Sequence, residues 1–307
     1  MMKLIPMPSY SQQVLIVLAF LSLFSCQKKT TEKPSLEESV LAQLDSIQGD
    51  VAVAYFNLGD PSDTLMIHAF EEFHAASTMK VPVMIELFKQ EKEGKLDLND
   101  SIVLVNEFKS IVDGSPYSMD IGDDSDDVIY SKIGSTVSLN DLMYSMITVS
   151  SNLATNVLIE LVDAKNVTAT MRTLGADKIQ VLRGVEDQKA YDLGLSNSTT
   201  ANDLMMIMKA IAEDQAGTPT DCEEMISILK DQQFNEIIPF YLPKDVSVAH
   251  KTGVITGVHH DAGIVYLPDG RSYVLVLLSK NLQDFDKGTN QLAKVSKLIY
   301  DHFLIQN

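Results

Sequence analysis

The sequence is poor in cysteine and in positive charge. Cys26 and Cys222 are its only cysteines, and Cys26 falls in an N-terminal segment set apart from the rest. The body of the chain therefore holds one thiol and no intramolecular disulfide. No Cys/His spacing of a metal site surrounds Cys222, which reads as structural. Against 42 acidic residues stand 24 Lys and Arg, a formal net charge of −18. Without a basic cluster to neutralise phosphates, a nucleic-acid partner is excluded. Internal repeats are lacking too. The carboxylates of Asp123, Asp124, Asp126 and Asp127 lack EF-hand spacing and read as a solvated loop. What is present is apolar content, 45% of 307 residues. That suffices for one large or two small packed units with a sizeable core.

The N-terminal segment has its own pattern. Lys3 gives a thin positive start, Val14 to Phe24 an apolar stretch too short to span a bilayer comfortably, and Ser25 precedes Cys26. This resembles a bacterial lipoprotein signal with Leu23-Phe24-Ser25-Cys26 as the lipobox; a plain secretory signal and an uncleaved anchor are the alternatives. The resemblance implies loss of residues 1–25, a lipid on Cys26 and a polar tether over 26–35. The protein would then be exported to the periplasm and held to a bacterial membrane by that lipid alone.

Beyond the tether, apolar spacing predicts a helix over 35–48, ending at Gly49. Strands follow at 51–56 and 64–68, joined by the turn-rich Asn57-Leu58-Gly59-Asp60-Pro61. A helix begins at Ser77 and stops at Gly94. Residues 106–136 read as a long acidic loop. Helical patterns then cover 138–162, 163–174, 199–213 and 220–230. After Pro243 the pattern turns to strands at 246–252, 260–267 and 273–279, the last two joined through Pro268-Asp269-Gly270. A helix over 292–304 closes the chain. Strands at both ends with helices between predict an α+β fold: an antiparallel sheet flanked by N- and C-terminal helices, with an inserted all-helical domain. The expected boundaries are 36–75 with 219–307 for the α/β domain and 76–218 for the insertion.

Ser77 and Lys80 stand one helical turn apart at the start of an apolar run. Pro82 is tolerated there because the first turn has no intrahelical N–H partners. A serine hydroxyl becomes a nucleophile when a neighbouring base takes its proton, and a desolvated lysine amine can do so. The spacing alone proves little, since Ser25…Lys28 and Ser227…Lys230 repeat it. Two further elements give it weight: Ser150-x-Asn152, at a break between helical stretches, and Lys251-Thr252-Gly253, found once, on a strand. The ordered triple resembles the penicillin-recognising serine hydrolases, the group of class A β-lactamases and penicillin-binding D,D-peptidases.

The resemblance covers about residues 36–305 and implies roles position by position. Ser77 is the acyl-accepting nucleophile and Lys80 helps to deprotonate it. Ser150 passes a proton to the departing β-lactam nitrogen. Asn152 binds the substrate's side-chain carbonyl, while Lys251 and Thr252 meet its carboxylate. Gly253 lets the substrate lie against the strand edge. The backbone N–H groups of Ser77 and Val254 form the oxyanion hole. Within Arg183-Gly184-Val185-Glu186, Glu186 stands where the family's deacylating glutamate is expected. Ala190 stands where its water-holding asparagine would be, with Asp187 and Gln188 as compensating neighbours. Asn197 to Ala201 resembles the lead into the next family helix. No metal or cofactor is called for.

His259-His260-Asp261 invites a metal reading, but adjacent strand residues point to opposite faces. His250 is expected to pack beside the site. The expectation is a monomeric class A-like serine β-lactamase acting on small β-lactams. The alternatives are a D,D-peptidase or esterase that deacylates slowly, and a binding protein on the same fold.

Overall fold

The computed structural model describes Met1, Met2 and residues 34–306. The expected signal segment, Cys26 and most of the tether lie outside the described residues. Ser35 opens the first helix, α1 (Leu36–Leu44), by a capping box: its hydroxyl accepts the Glu38 N–H while the Glu38 carboxylate accepts the Ser35 N–H. Strands β1 (Asp50–Asn57) and β2 (Thr64–Ile67) follow, then a two-residue strand β3 (Phe73–His74). A 3₁₀ turn, Ala76–Met79, leads into α2 (Lys80–Lys92).

The middle of the chain carries short strands β4 (Ser101–Val103), β5 (Phe108–Lys109), β6 (Pro116–Tyr117) and β7 (Thr136–Ser138). Helices α3 (Leu139–Thr148), α4 (Asn152–Val162), α5 (Ala164–Thr173) and α6 (Gln188–Asp192) come next. Then follow β8 (Ser198–Thr199), α7 (Ala201–Ala212) and α8 (Pro219–Lys230). Strands β9 (Ser247–Ile255), β10 (Val258–Tyr266) and β11 (Ser272–Lys280) and the long α9 (Phe285–Ile305) complete it.

The expected antiparallel sheet forms in the order β2-β1-β11-β10-β9. Period-two alternation divides its side chains between two cores. Val51, Val53, Tyr55, Tyr273, Leu275 and Leu277 face α1 and α9 through Val40, Leu292, Val295, Ile299 and Phe303. On the opposite face Ala52, Ala54, Ala249 and Ala262 are small, and with Val274 and Val276 they join the core of the helical region. Small residues there let α7 pack closely on the sheet. Residues 35–307 make one compact unit. Among the described residues no helix is long and apolar enough to cross a membrane.

Two expectations change. The final helix starts at Phe285 rather than 292, because Asp284 caps it by accepting the Lys287 N–H. Its polar first turns had hidden the apolar period. The acidic stretch 106–136 is not a featureless loop: it contains the β5–β6 hairpin and two 3₁₀ turns.

Candidate active site

The turn that carries Ser77 is strained on purpose. Ala76 adopts φ of 44°, in the left-handed region that a Cβ disfavours. Its N–H donates to His74 Nδ1 at 3.0 Å, and Thr78 Oγ1 donates to the Ala75 carbonyl at 2.6 Å. His74 is itself fixed, since His260 Nε2 donates to its carbonyl at 2.8 Å. Gly253 of β9 lies against this turn. A Cβ there would sit 3.0 Å from Ser77 N and 3.2 Å from Thr78 N. The glycine expected to keep the strand edge open thus makes room for the serine's own backbone.

Lys80, the first residue of α2, is wholly buried. Its ammonium donates to the Ser150 carbonyl at 2.8 Å, Ser150 Oγ at 3.1 Å and Asn152 Oδ1 at 2.9 Å. Burial pushes its pKa down to about 7, against the opposing charges of Asp124 and Glu186. Lys251 is buried as well, and its Nζ donates to Ser150 Oγ at 3.0 Å and to the Thr252 carbonyl at 3.0 Å. Burial, then repulsion from Lys80, lowers its pKa well below the usual lysine value. Two amines thus converge on one hydroxyl. Two full charges so close in a dry site are costly, so one amine holds its proton less firmly.

Ser150 occupies the break between α3 and α4 with φ of 59°. The acidic loop, given no chemistry in the sequence reading, folds over it. Asp124 accepts the backbone N–H of Asn152 at 2.9 Å and of Leu153 at 2.8 Å, satisfying the start of α4. Ser125 Oγ donates to the Ser150 carbonyl at 3.3 Å. A carboxylate this far back in sequence leaves no local signal that it serves a later helix.

The Glu186 loop is closed at its neck by paired backbone bonds between Gln180 and Ser198. Asn197 Oδ1 accepts the N–H groups of Leu182 and Arg183, and its amide donates to the Arg183 carbonyl. Arg183, nearly buried, donates to the carbonyls of Leu195 and Gly184. Asn156 of α4 grips the loop with both ends of its amide, accepting Val185 N–H at 2.6 Å and donating to Val185 O at 3.0 Å. Gly184 permits that approach, because a Cβ would lie 2.2 Å from Asn156 Oδ1. Asn156 was not singled out from the sequence, and Asp124 was read only as part of a solvated loop.

Glu186 itself has φ of 60°. Partial burial, then the charge of Asp123, raises its pKa, while Arg183 and Lys80 oppose the rise. Ala190 is buried in α6 and offers only a methyl group. Both neighbours are engaged with other groups. Asp187 accepts the N–H of Ile111 at 2.9 Å and of Ala190 at 3.2 Å, and Gln188 turns to Asp192.

Ser77 opens into two cavities. The first, about 350 Å³, is bordered by Glu186, Arg183, His74, Asn152 and Val254. The second, about 680 Å³, is bordered by Ser150, Asn152, Thr252 and Val254 and runs toward the start of α9. The histidine pair diverges: His259 bonds Thr289 and stacks on Phe285, while His260 reaches His74. His250 pairs with Asp261 at 2.8 Å inside the sheet.

The sequence model of the beta-lactamase enzyme family matches residues 35–303. The chain is 24% identical to the extended-spectrum beta-lactamase PER-1 of Pseudomonas aeruginosa over 288 residues, 90% of each protein. It is 23% identical to a beta-lactamase of Bacteroides uniformis over 301 residues, covering 92% of this chain and 97% of that one. The crystal structure of a beta-lactamase from Sphaerobacter thermophilus superposes with a TM-score of 0.74 at 26% identity, over 89% of this chain and 98% of that one. A mutant of PBP-A, in an acyl-enzyme complex with penicillin-G, does so with a TM-score of 0.74 at 25% identity, over 88% and 96%. The chain belongs to the beta-lactamase enzyme family and has the fold of class A-like serine β-lactamases and penicillin-binding proteins.

Proposed function

We propose that this protein is a class A-like serine β-lactamase. The observation that carries the reading is the convergence of the Lys80 and Lys251 amines on Ser150 Oγ, at 3.1 and 3.0 Å, beside Ser77. The substrate enters the cleft between the sheet layer, 36–75 with 219–307, and the helical insertion, 76–218. Ser77 Oγ attacks the lactam carbonyl carbon and yields its proton to Lys80, whose amine is half neutral near pH 7. Charge on the carbonyl oxygen is met by the N–H groups of Ser77 and Val254. As the C–N bond breaks, the Ser150 hydroxyl protonates the nitrogen and recovers a proton through the lysine pair. Asn152 binds the side-chain carbonyl, and Thr252 with Lys251 binds the carboxylate. Water held by Glu186 then attacks the ester and frees Ser77.

Ala190 favours one second reading, a D,D-peptidase or esterase that β-lactams acylate and leave slowly. With an N-terminal segment of lipoprotein type, the enzyme would work as an exported monomer tethered through Cys26. The test is intact-protein mass spectrometry of residues 36–307 mixed with a chromogenic cephalosporin, with absorbance followed alongside. Multiple turnovers with little lasting adduct, abolished in Ser77→Ala by a factor of about 10⁴ or more, support the β-lactamase. A single burst leaving a stable adduct selects the slow-release reading, and neither colour nor adduct refutes both.

A further inference from the structure

Away from Ser150, where the Lys80 and Lys251 amines lie behind the wall, the second cavity carries charge of one sign. Glu236, Asp286 and Asp123 stand on its wall beside Asp124, whose carboxylate is taken up by the start of α4, and no lysine or arginine does. None of the three forms an ion pair among the described residues. The chain has three arginines, and all are engaged elsewhere. Arg172 donates to the carbonyls of Ala176 and Ile179, Arg183 to the Glu186 loop, and Arg271 to Asp269. Flat apolar surface accompanies the charge. His259 and Phe285 stack with ring centroids 4.9 Å apart and 7° between planes. Phe240, 54% exposed, presents a further ring. Burial lowers the His259 pKa, which disfavours a positive charge on the imidazole.

Aromatic faces and unpaired carboxylates beside low-dielectric walls select organic cations. We propose that the outer end of this cavity, bordered by Glu236, Phe240, His259, Phe285 and Asp286, is a subsite for a cationic, flat substituent on the substrate. The proposal rests on the β-lactamase reading. With Ser150 and Thr252 at the leaving nitrogen and ring carboxylate, the cavity lies on that side of the lactam, opposite the acyl side chain. Substrates bearing a pyridinium or similar quaternary group there are favoured, and those bearing a second carboxylate are repelled.

The experiment compares two cephalosporins with one acyl side chain, one carrying a pyridiniomethyl group at ring carbon 3 and the other an acetoxymethyl group. Reaction with Ser77 is followed as kcat/KM, or as the rate of adduct formation by mass. The readout is the pyridinium-to-acetoxy ratio in the natural enzyme and in Glu236→Gln/Asp286→Asn, where differences of intrinsic reactivity cancel. Both positions are exposed, so the exchanges leave the core intact. The ratio is expected to fall about fivefold to tenfold in the double variant, and to shrink with added salt in the natural enzyme alone. A ratio that stays within about twofold, no more than a weak exposed ion pair would give, while both compounds react overturns the subsite and leaves the β-lactamase reading standing. If neither compound acylates Ser77, the β-lactamase reading falls and the subsite falls with it.

Discussion

The two sides of Ser77 are built differently. On the lysine side, α2, the α3–α4 break and β9 each supply a buried group, and the hydrogen bonds among them run from 2.8 to 3.1 Å. Both lysines and Ser150 are locked by partners from other segments. On the glutamate side, a single loop carries Glu186, its carboxylate accepts no hydrogen bond among the described residues, and its neighbour at position 190 is a methyl group. The loop is well anchored at its neck and through Asn156, yet the reacting end is sparse. On the proposed mechanism, the difference teaches that loading the serine and unloading it depend on separate pieces of structure. One is fixed by the core, and the other by the reach of one loop.

The strongest way to break the lysine side is Lys80→Met, expected to slow adduct formation about 10³-fold. In the natural enzyme that rate should follow the neutral fraction of Lys80. With a pKa near 7, lowered from the lysine value by burial, the rate rises with pH up to about 7 and levels above it, and the limb vanishes in the variant. Stopped-flow adduct formation against pH checks both. On the glutamate side, Glu186→Gln should leave acylation nearly unchanged while stretching the adduct's lifetime about 10²-fold, read by mass against time.

A milder probe lies on the turn between them. His74→Leu removes the acceptor of the Ala76 N–H and should cost about fivefold in acylation, the worth of one hydrogen bond of about 1 kcal/mol. His74→Asn places an amide oxygen near the Nδ1 position and should restore the rate to within about twofold by the same reasoning. Equal losses in both variants would show that the ring's bulk matters and its lone pair does not. The smallest effect is expected of Ala190→Asn. It should shorten the adduct's lifetime a few-fold, with a lower melting temperature because a buried methyl site is overfilled by about 1 kcal/mol or more.

Much of the architecture was legible because it rests on apolar alternation and turn residues. Strands 50–57 and 247–280 stand within a few residues of where their sequence pattern puts them. The three motifs that meet at Ser150 were legible because their residue types are rare in that order. What stayed hidden are the groups that act through backbone. Asp124 caps a helix that begins 28 residues later; Asn156 and Asn197 hold a loop by amide-to-peptide bonds. Such contacts demand only a polar side chain at the right point in space, and no periodicity marks them. Asp286, Lys287, Thr289 and Asn290 likewise concealed the first turns of α9.

Asp50 lies opposite Lys280 and Asn57 opposite Tyr273, so an early strand finds its central neighbour far along the chain. Contacts of such separation slow folding, because the intervening chain must be gathered before they reward it. A growing polypeptide that has not reached β11 has no partner for the inner edge of β1, and the apolar cores on both sides of the sheet stay open. A chain cut short before residue 280 is therefore left as a sticky fragment rather than a smaller protein.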